Sequence, residues 1–198
     1  MRLFVALDLP DPLLQTLDAL TARLKPAAHI QWSRVANLHI TTKFIGEWPE
    51  LRLGELKSAL SAIPRSGPIP IKVEGLGWFP NPHAPRLFWA EVKRLGQTAD
   101  CPIIQDSGRS GNQARVQSLE TLAQATGQAT ATLGIPAETR DFHPHLTLAR
   151  IKTKVDLAPL RQAVARLEST EFGDFEARAQ YLYLSKNSVY TKLEEFPL

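Results

Sequence analysis

The 198-residue chain has one cysteine, Cys101, and one methionine. A single thiol excludes an intramolecular disulfide and a cysteine-rich zinc site. No stretch approaches the ~20 apolar residues that cross a bilayer. The opening "MRLFVALDLP" alternates and then meets proline, without the longer apolar segment and cleavage site of a secretory leader. The expected location is therefore a reducing cytoplasm, with no membrane partner. Charge of one sign is also scarce: 23 Lys and Arg against 20 Asp and Glu give +3. That excess suits a polyanionic partner without requiring one. No low-complexity segment or short-period repeat is present. Fifteen prolines and eleven glycines predict many short connections rather than long helices.

Alternation at 2–8 predicts a strand, with Leu3, Val5 and Leu7 on one face and Phe4, Ala6 and Asp8 on the other. Asp11-Pro12 opens a predicted helix carrying Leu13, Leu17, Leu20 and Leu24, with Asp11 as N-cap. A strand at 37–45 and a helix at 49–62 follow. Strands are expected at 69–79 and 86–92, then a polar, Gly-rich exposed loop insertion at 94–113. A helix over 114–133 with Val116, Leu119 and Leu122 inward, a strand at 144–150 and a helix at 156–168 come next. Two closing strands meet at a turn near Asn187. The expected architecture is α+β, a single domain of two related lobes covering 1–198.

Two short stretches stand out. "LHITTKFIG" holds His39 two residues before Thr41, and "PHLTLAR" holds His145 two residues before Thr147. On a strand, i and i+2 share a face. Each stretch thus offers an imidazole and a hydroxyl on one side and apolar residues on the other. A lone His-x-Thr reads most simply as a structural histidine. Two copies, each ahead of a turn and helix, place two imidazoles across a cleft if the halves are related by a two-fold. Histidine titrates near pH ~6.5, so one ring can accept a proton while the other donates one. Each role contributes typically ~10²–10⁴-fold in rate. Threonine hydroxyls on the same faces can hold phosphate oxygens. That is the logic of opening a phosphodiester without a metal, although spacing does not decide which histidine is acid and which is base.

Strict alternation adds Lys43 to the His39 face, within reach of a phosphate, and His143 to the His145 face. It places Leu38, Ile40 and Phe44 together on the apolar side. Arg150 would lie with Leu146, away from the histidine, yet it is a plausible phosphate partner. Phe4 and Tyr181, with Tyr183, either stack a nucleobase or pack the core. Trp32, Trp48, Trp78 and Trp89 are too scattered for a base platform. His143-x-His145 could begin a metal site with His39, but that account leaves the duplicated threonine without a role. No metal and no cofactor is expected.

These residues carry a family resemblance. "RLFVALDLP", "LHITTKFIGEW", "RLFWAEV", "FHPHLTLAR" and "LYLSKNSVYTKLEEFPL", in this order, resemble the 2H phosphoesterases, and within them the bacterial and archaeal RNA 2′,3′-cyclic phosphodiesterases once called 2′-5′ RNA ligases. The resemblance spans nearly the whole chain. It implies a bilobal fold with the active site in a central cleft. It also implies a partner that is an RNA 3′ end or a nucleoside 2′,3′-cyclic phosphate, hydrolysed to a 2′-phosphomonoester. It assigns His39 as proton donor, His145 as proton acceptor, and Thr41 and Thr147 to the phosphate. A monomer is expected. Two other readings stay open: a module that binds RNA ends without turnover, and 2′-5′ ligation as the reverse reaction.

Overall fold

The computed structural model describes residues 1–95 and 118–198. Most of the expected 94–113 loop, and Val116, lie outside these residues. The described part contains two antiparallel sheets. Sheet A runs in the order β3-β1-β8-β9, from β1 (Arg2–Leu7), β3 (Ile40–Glu47), β8 (Ala179–Lys186) and β9 (Val189–Pro197). Sheet B runs β2-β6-β5-β4-β7, from β2 (Gln31–Trp32), β4 (Ile69–Phe79), β5 (Leu87–Arg94), β6 (His145–Arg150) and β7 (Glu171–Ala177). The two sheets are the lobes of an α+β fold, but they are not successive halves of the chain. Sheet A joins the first strands to the last two, and sheet B takes the middle. β7 and the two-residue β2 went unread in the sequence. β7 is an edge strand broken in pattern by Gly173, whose φ of +139° few side chains adopt.

The lobes nevertheless repeat one four-strand unit, β3-β1-β8-β9 against β6-β5-β4-β7. Ala6 lies opposite both Thr41 and Tyr181. In the same place of sheet B, Trp89 lies opposite both Thr147 and Gly77.

α1 (Asp11–Leu24) follows β1 in sequence yet packs on sheet B. Its stripe of Leu13, Leu17, Leu20 and Leu24 is buried, and Leu13 lies against Gly173 of β7. Each such leucine contributes roughly 1.5–3 kcal/mol. The helix begins at Asp11 with Pro10 as N-cap, so Asp11 does not cap it; it sits in the first turn, where a carboxylate suits the helix dipole. α4 (Ala158–Ala165) buries Leu160 in the same core. That core also takes Leu7 and Ile40 from sheet A, which ties the lobes together. Behind sheet A, α2 (Leu53–Ser61) sets Leu56 and Leu60 against Leu3, Val5, Ile45 and Trp48. α3 (Leu119–Ala131) starts at a Ser118–Thr121 capping box and brings Thr126 to Gln180.

The strand after each motif carries a bulge at the same point. Ala6 pairs with Thr41 and Val5 with Lys43, which leaves Thr42 as the extra residue. Trp89 pairs with Thr147 and Phe88 with Ala149, which leaves Leu148. One extra residue reverses the alternation beyond it. Two expectations fall for this reason. Lys43 is not on the His39 face. It sits with Val5 behind the sheet, 3% exposed, and its Nζ donates to Pro136 O at 2.7 Å. Phe44 is not buried beside Ile40. It lies opposite Phe4 on the concave face, 59% exposed.

Candidate active site

His39 stands at the entry to β3, just before Ile40, and His145 is the first residue of β6. Both rings are held by the same local device. His39 Nδ1 lies 2.8 Å from the carbonyl of Asn37, and His145 Nδ1 lies 2.8 Å from the carbonyl of His143. A carbonyl only accepts, so each Nδ1 carries the hydrogen and each Nε2 keeps its lone pair. The carbonyl lies two residues before its histidine in both lobes. Asn37 is anchored in turn: its Nδ2 donates to Ser188 O at 2.9 Å, at the tip of the β8–β9 hairpin. Asn187 and Ser188 there have φ of 51° and 61°, the paired positive values of a type I′ turn.

Around the rings the lobes differ. His39 meets Phe4 at 4.7 Å between centroids and Tyr190 edge-on at 5.3 Å. Phe4 stacks on Tyr183 at 5.1 Å and is only 4% exposed, so it backs the histidine rather than offering a free face to a base. His145 meets one large ring, Trp89, at 4.7 Å. Burial lowers the pKa of both histidines below the ordinary value, because removing water penalises the imidazolium. The bond to the backbone carbonyl opposes this in each. The Asp8 carboxylate also raises His39, whereas Arg150 depresses both rings. Arg150 and His143 both lower His145, and among the described residues no carboxylate raises it.

Arg150 therefore faces the space between the lobes, and strict alternation misplaces it. The Leu148 bulge turns it back toward the cleft, opposite Leu87. His143 lies ahead of β6, so strand parity does not apply to it. Its ring is exposed, and it gives the site its carbonyl. Thr41 and Thr147 are half-buried on the two cleft faces. Tyr181 shares the cleft face with Tyr183, and Lys192 Nζ lies 4.1 Å over its ring.

Three contributors went unread in the sequence. Asp8 takes the Tyr183 hydroxyl on one oxygen and Lys192 Nζ on the other. Burial, and then the Asp8 carboxylate, push the Tyr183 phenol far up, so Tyr183 stays a donor. Ser33 pins the second motif: its N donates to Leu148 O at 2.8 Å and its Oγ to Thr147 O at 2.6 Å. Trp89 is the third. Alternation on "RLFVALD" places Asp8 on the Phe4 face, so its position was legible even though its role was not. A cavity of ≈ 270 Å³ opens beside His39, lined by Asp8, Asn37, Tyr183, Tyr190 and Lys192 among others. Among the described residues no group of three or more His, Cys, Asp or Glu is clustered as a metal site would require.

Two antiparallel sheets, each presenting a His-x-Thr motif of identical backbone design, define a two-histidine phosphoesterase of α+β fold. A family model described as LigT like Phosphoesterase matches residues 7–89 and 112–189, and the chain belongs to that family. The RNA 2′,3′-cyclic phosphodiesterase of Archaeoglobus fulgidus is 30% identical over 200 residues, 99% of each chain. The enzyme of the same name from Methanocaldococcus jannaschii is 29% identical, over 93% of this chain and 91% of its own. The crystal structure of TT0787 of Thermus thermophilus superposes with a TM-score of 0.74 at 26% identity, covering 100% of this chain and 98% of that one. E. coli LigT complexed with 3′-AMP shares the fold at 22% identity and a TM-score of 0.70, over 100% of this chain and 97% of that one.

Proposed function

We propose that this protein hydrolyses the 2′,3′-cyclic phosphate at an RNA 3′ end to a 2′-phosphomonoester, using His39 as acid and His145 as base. The observation that carries the reading is the matched pair of Nδ1-to-carbonyl bonds, each 2.8 Å, which leave two free Nε2 atoms on facing lobes. His145 Nε2 takes a proton from water as its oxygen attacks phosphorus. The bond from phosphorus to O3′ breaks in line, and O3′ receives the proton held by His39. The phosphate stays on O2′. The two rings then exchange protons with solvent to reset. Thr41 and Thr147 donate to the non-bridging oxygens, and Arg150 offsets the charge that builds on them.

Both histidines sit low in the free protein, so an acid needs help to hold its proton. The bound phosphodiester, an anion, raises both rings. Asp8 adds to this at His39 and has no counterpart among the groups acting on His145. That difference supports His39 as the donor. Binding without turnover fits less well, because a pure binding cleft gains more from permanent cations than from two titrating rings. The reverse reaction, with a nucleoside hydroxyl in place of water, uses the same groups and yields a 2′-5′ bond.

The deciding experiment incubates the protein with an oligoribonucleotide ending in a 2′,3′-cyclic phosphate and identifies the product end. A 2′-phosphate, formed at a rate that chelator leaves unchanged, is the expected result. A 3′-phosphate would overturn the assigned leaving group.

A further inference from the structure

The repeated unit has one reversal of size. In sheet A the row across the strands reads Thr41, Ala6, Tyr181, and in sheet B it reads Thr147, Trp89, Gly77. The small and the large residue have changed places. Directly opposite residues of antiparallel strands share a face, so all six point into the cleft. In sheet A the ring at the far position leaves Ala6 low, and His39 is packed by Phe4 and Tyr190 from other positions. In sheet B the large ring stands next to the motif itself, and His145 has Trp89 as its aromatic neighbour at 4.7 Å and 45°.

That placement exists only because residue 77 has no side chain. A Cβ on Gly77 would overlap Trp89 Nε1 and lie 2.5 Å from its Cδ1 and 2.8 Å from its Cε2, far inside contact distance. The indole is stiff, and the His145 ring already lies 4.7 Å from it between centroids, so a shift of the indole is felt by the histidine. The indole N–H is buried and finds no hydrogen-bond partner among the described residues. A buried donor without a partner costs stability, and a ring held there against that cost is held by shape.

We propose that Trp89, seated on Gly77, is the positioning residue for His145 in the proposed reaction. The bond to His143 O fixes which nitrogen is free but allows the ring to rock about it. The indole closes off one side, and Nε2 then points to where water must stand. Gly77 is the seat, and Trp89 acts through His145 rather than on substrate. The inference rests on the proposed base role of His145.

Gly77→Ala, Trp89→Leu, Trp89→Phe and the double variant Gly77→Ala with Trp89→Phe test it, on an oligoribonucleotide ending in a 2′,3′-cyclic phosphate. A displacement near 1 Å at a catalytic group costs up to about 100-fold. Gly77→Ala and Trp89→Leu are expected to lower kcat about 10- to 100-fold with KM changed less than about threefold. Trp89→Phe retains more activity than Trp89→Leu. The double variant recovers most of the loss in Gly77→Ala, because the smaller ring leaves room for the methyl. The acidic limb of the rate profile moves to higher pH in Trp89→Leu, since opening the ring to water removes the burial that depresses His145. Arg150 and His143 act on His145 directly. Glu91 lies opposite it in register but is turned to Lys93, and His39 faces it from sheet A. All four are unchanged in these variants, so the limb reports the indole. The ring-current shift of the His145 protons, read by NMR, should fall in Gly77→Ala and return in part in the double variant.

Wild-type kcat and pH profile in both Gly77→Ala and Trp89→Leu would overturn the proposal, as would equal losses in the single and double alanine variants. If Gly77→Ala does not fold, Trp89→Leu against Trp89→Phe decides by the same limb. Full activity of His145→Ala would instead remove the base role itself, which separates the two failures.

Discussion

The His39 lobe and the His145 lobe share a backbone and differ in almost everything around it. Each histidine bonds the carbonyl two residues before it, each threonine follows at the same spacing, and each strand bulges one residue later. The neighbours then diverge. His39 has Phe4, Tyr183 and Tyr190 near it and a carboxylate, Asp8. His145 has Trp89 and, among the described residues, no carboxylate acting on it. Shared backbone geometry decides where each Nε2 points. The unlike surroundings decide how firmly each ring holds a proton. Identical halves would leave either ring free to be the acid; differently lined halves bias the choice.

The largest effect should come from removing either ring. His39→Ala and His145→Ala are each expected to lose about 10²–10⁴-fold in kcat against a cyclic-phosphate RNA end. Near-equal losses fit a mechanism that needs both; a variant with wild-type turnover breaks the pairing. Next is Arg150→Met. Its charge acts on the histidine of each lobe, so it should cost about 10- to 100-fold in kcat/KM through a lost charge-assisted contact to phosphate. It should also shift the acidic limb of the pH profile upward, because Arg150 holds both histidines down. A loss with no movement of that limb would place Arg150 away from the rings.

A smaller effect is expected from Asp8→Asn, which attacks the difference between the lobes directly. Asp8 raises His39, so its neutralisation lowers that ring further. With His39 as the proposed acid, its acid form is then lost at lower pH and the alkaline limb of kcat/KM moves down, while the acidic limb, that of His145 as the proposed base, stays. Movement of the acidic limb instead would reverse the acid and base assignment. The smallest effect concerns the two bulges. Sheet A pins its bulge with polar groups: Thr42 Oγ1 donates to Val5 O at 3.2 Å, and Lys43 reaches Pro136 O. Sheet B buries Leu148 and Ala149 and is pinned from outside by Ser33. Thr42→Val should therefore cost about 1 kcal/mol in thermal or denaturant unfolding, with turnover nearly kept. An unchanged midpoint would show that the hydroxyl does not secure the bulge.

Much of this was legible in the chain. The helical stripe on α1, the alternation of β1, β4 and β8, and the turn at Asn187 are local patterns, and local sterics and burial enforce them. The pair of motifs was legible too, because His-x-Thr on extended chain always puts ring and hydroxyl on one side. What alternation could not carry was anything beyond a bulge. Thr42 and Leu148 bear no local mark of being extra residues, since a bulge is a property of two strands in register. Lys43, Phe44 and Arg150 were misassigned to faces for that single reason. Gly77 and Trp89 lie twelve residues apart in sequence and declare nothing until the strands pair.

The sequence by itself determined the two motifs, the apolar faces that bury them and the family to which the chain belongs. Tertiary structure decided which lobe each strand joined, drawing the last two strands of the chain back beside the first. It also decided that Asp8 acts on His39 and not on His145, and that the charge of Arg150 lowers both rings. Those are matters of distance across a cleft. Electrostatic coupling and desolvation depend on what lies within a few ångströms in space, and residues far apart in the chain acquire that nearness only on folding.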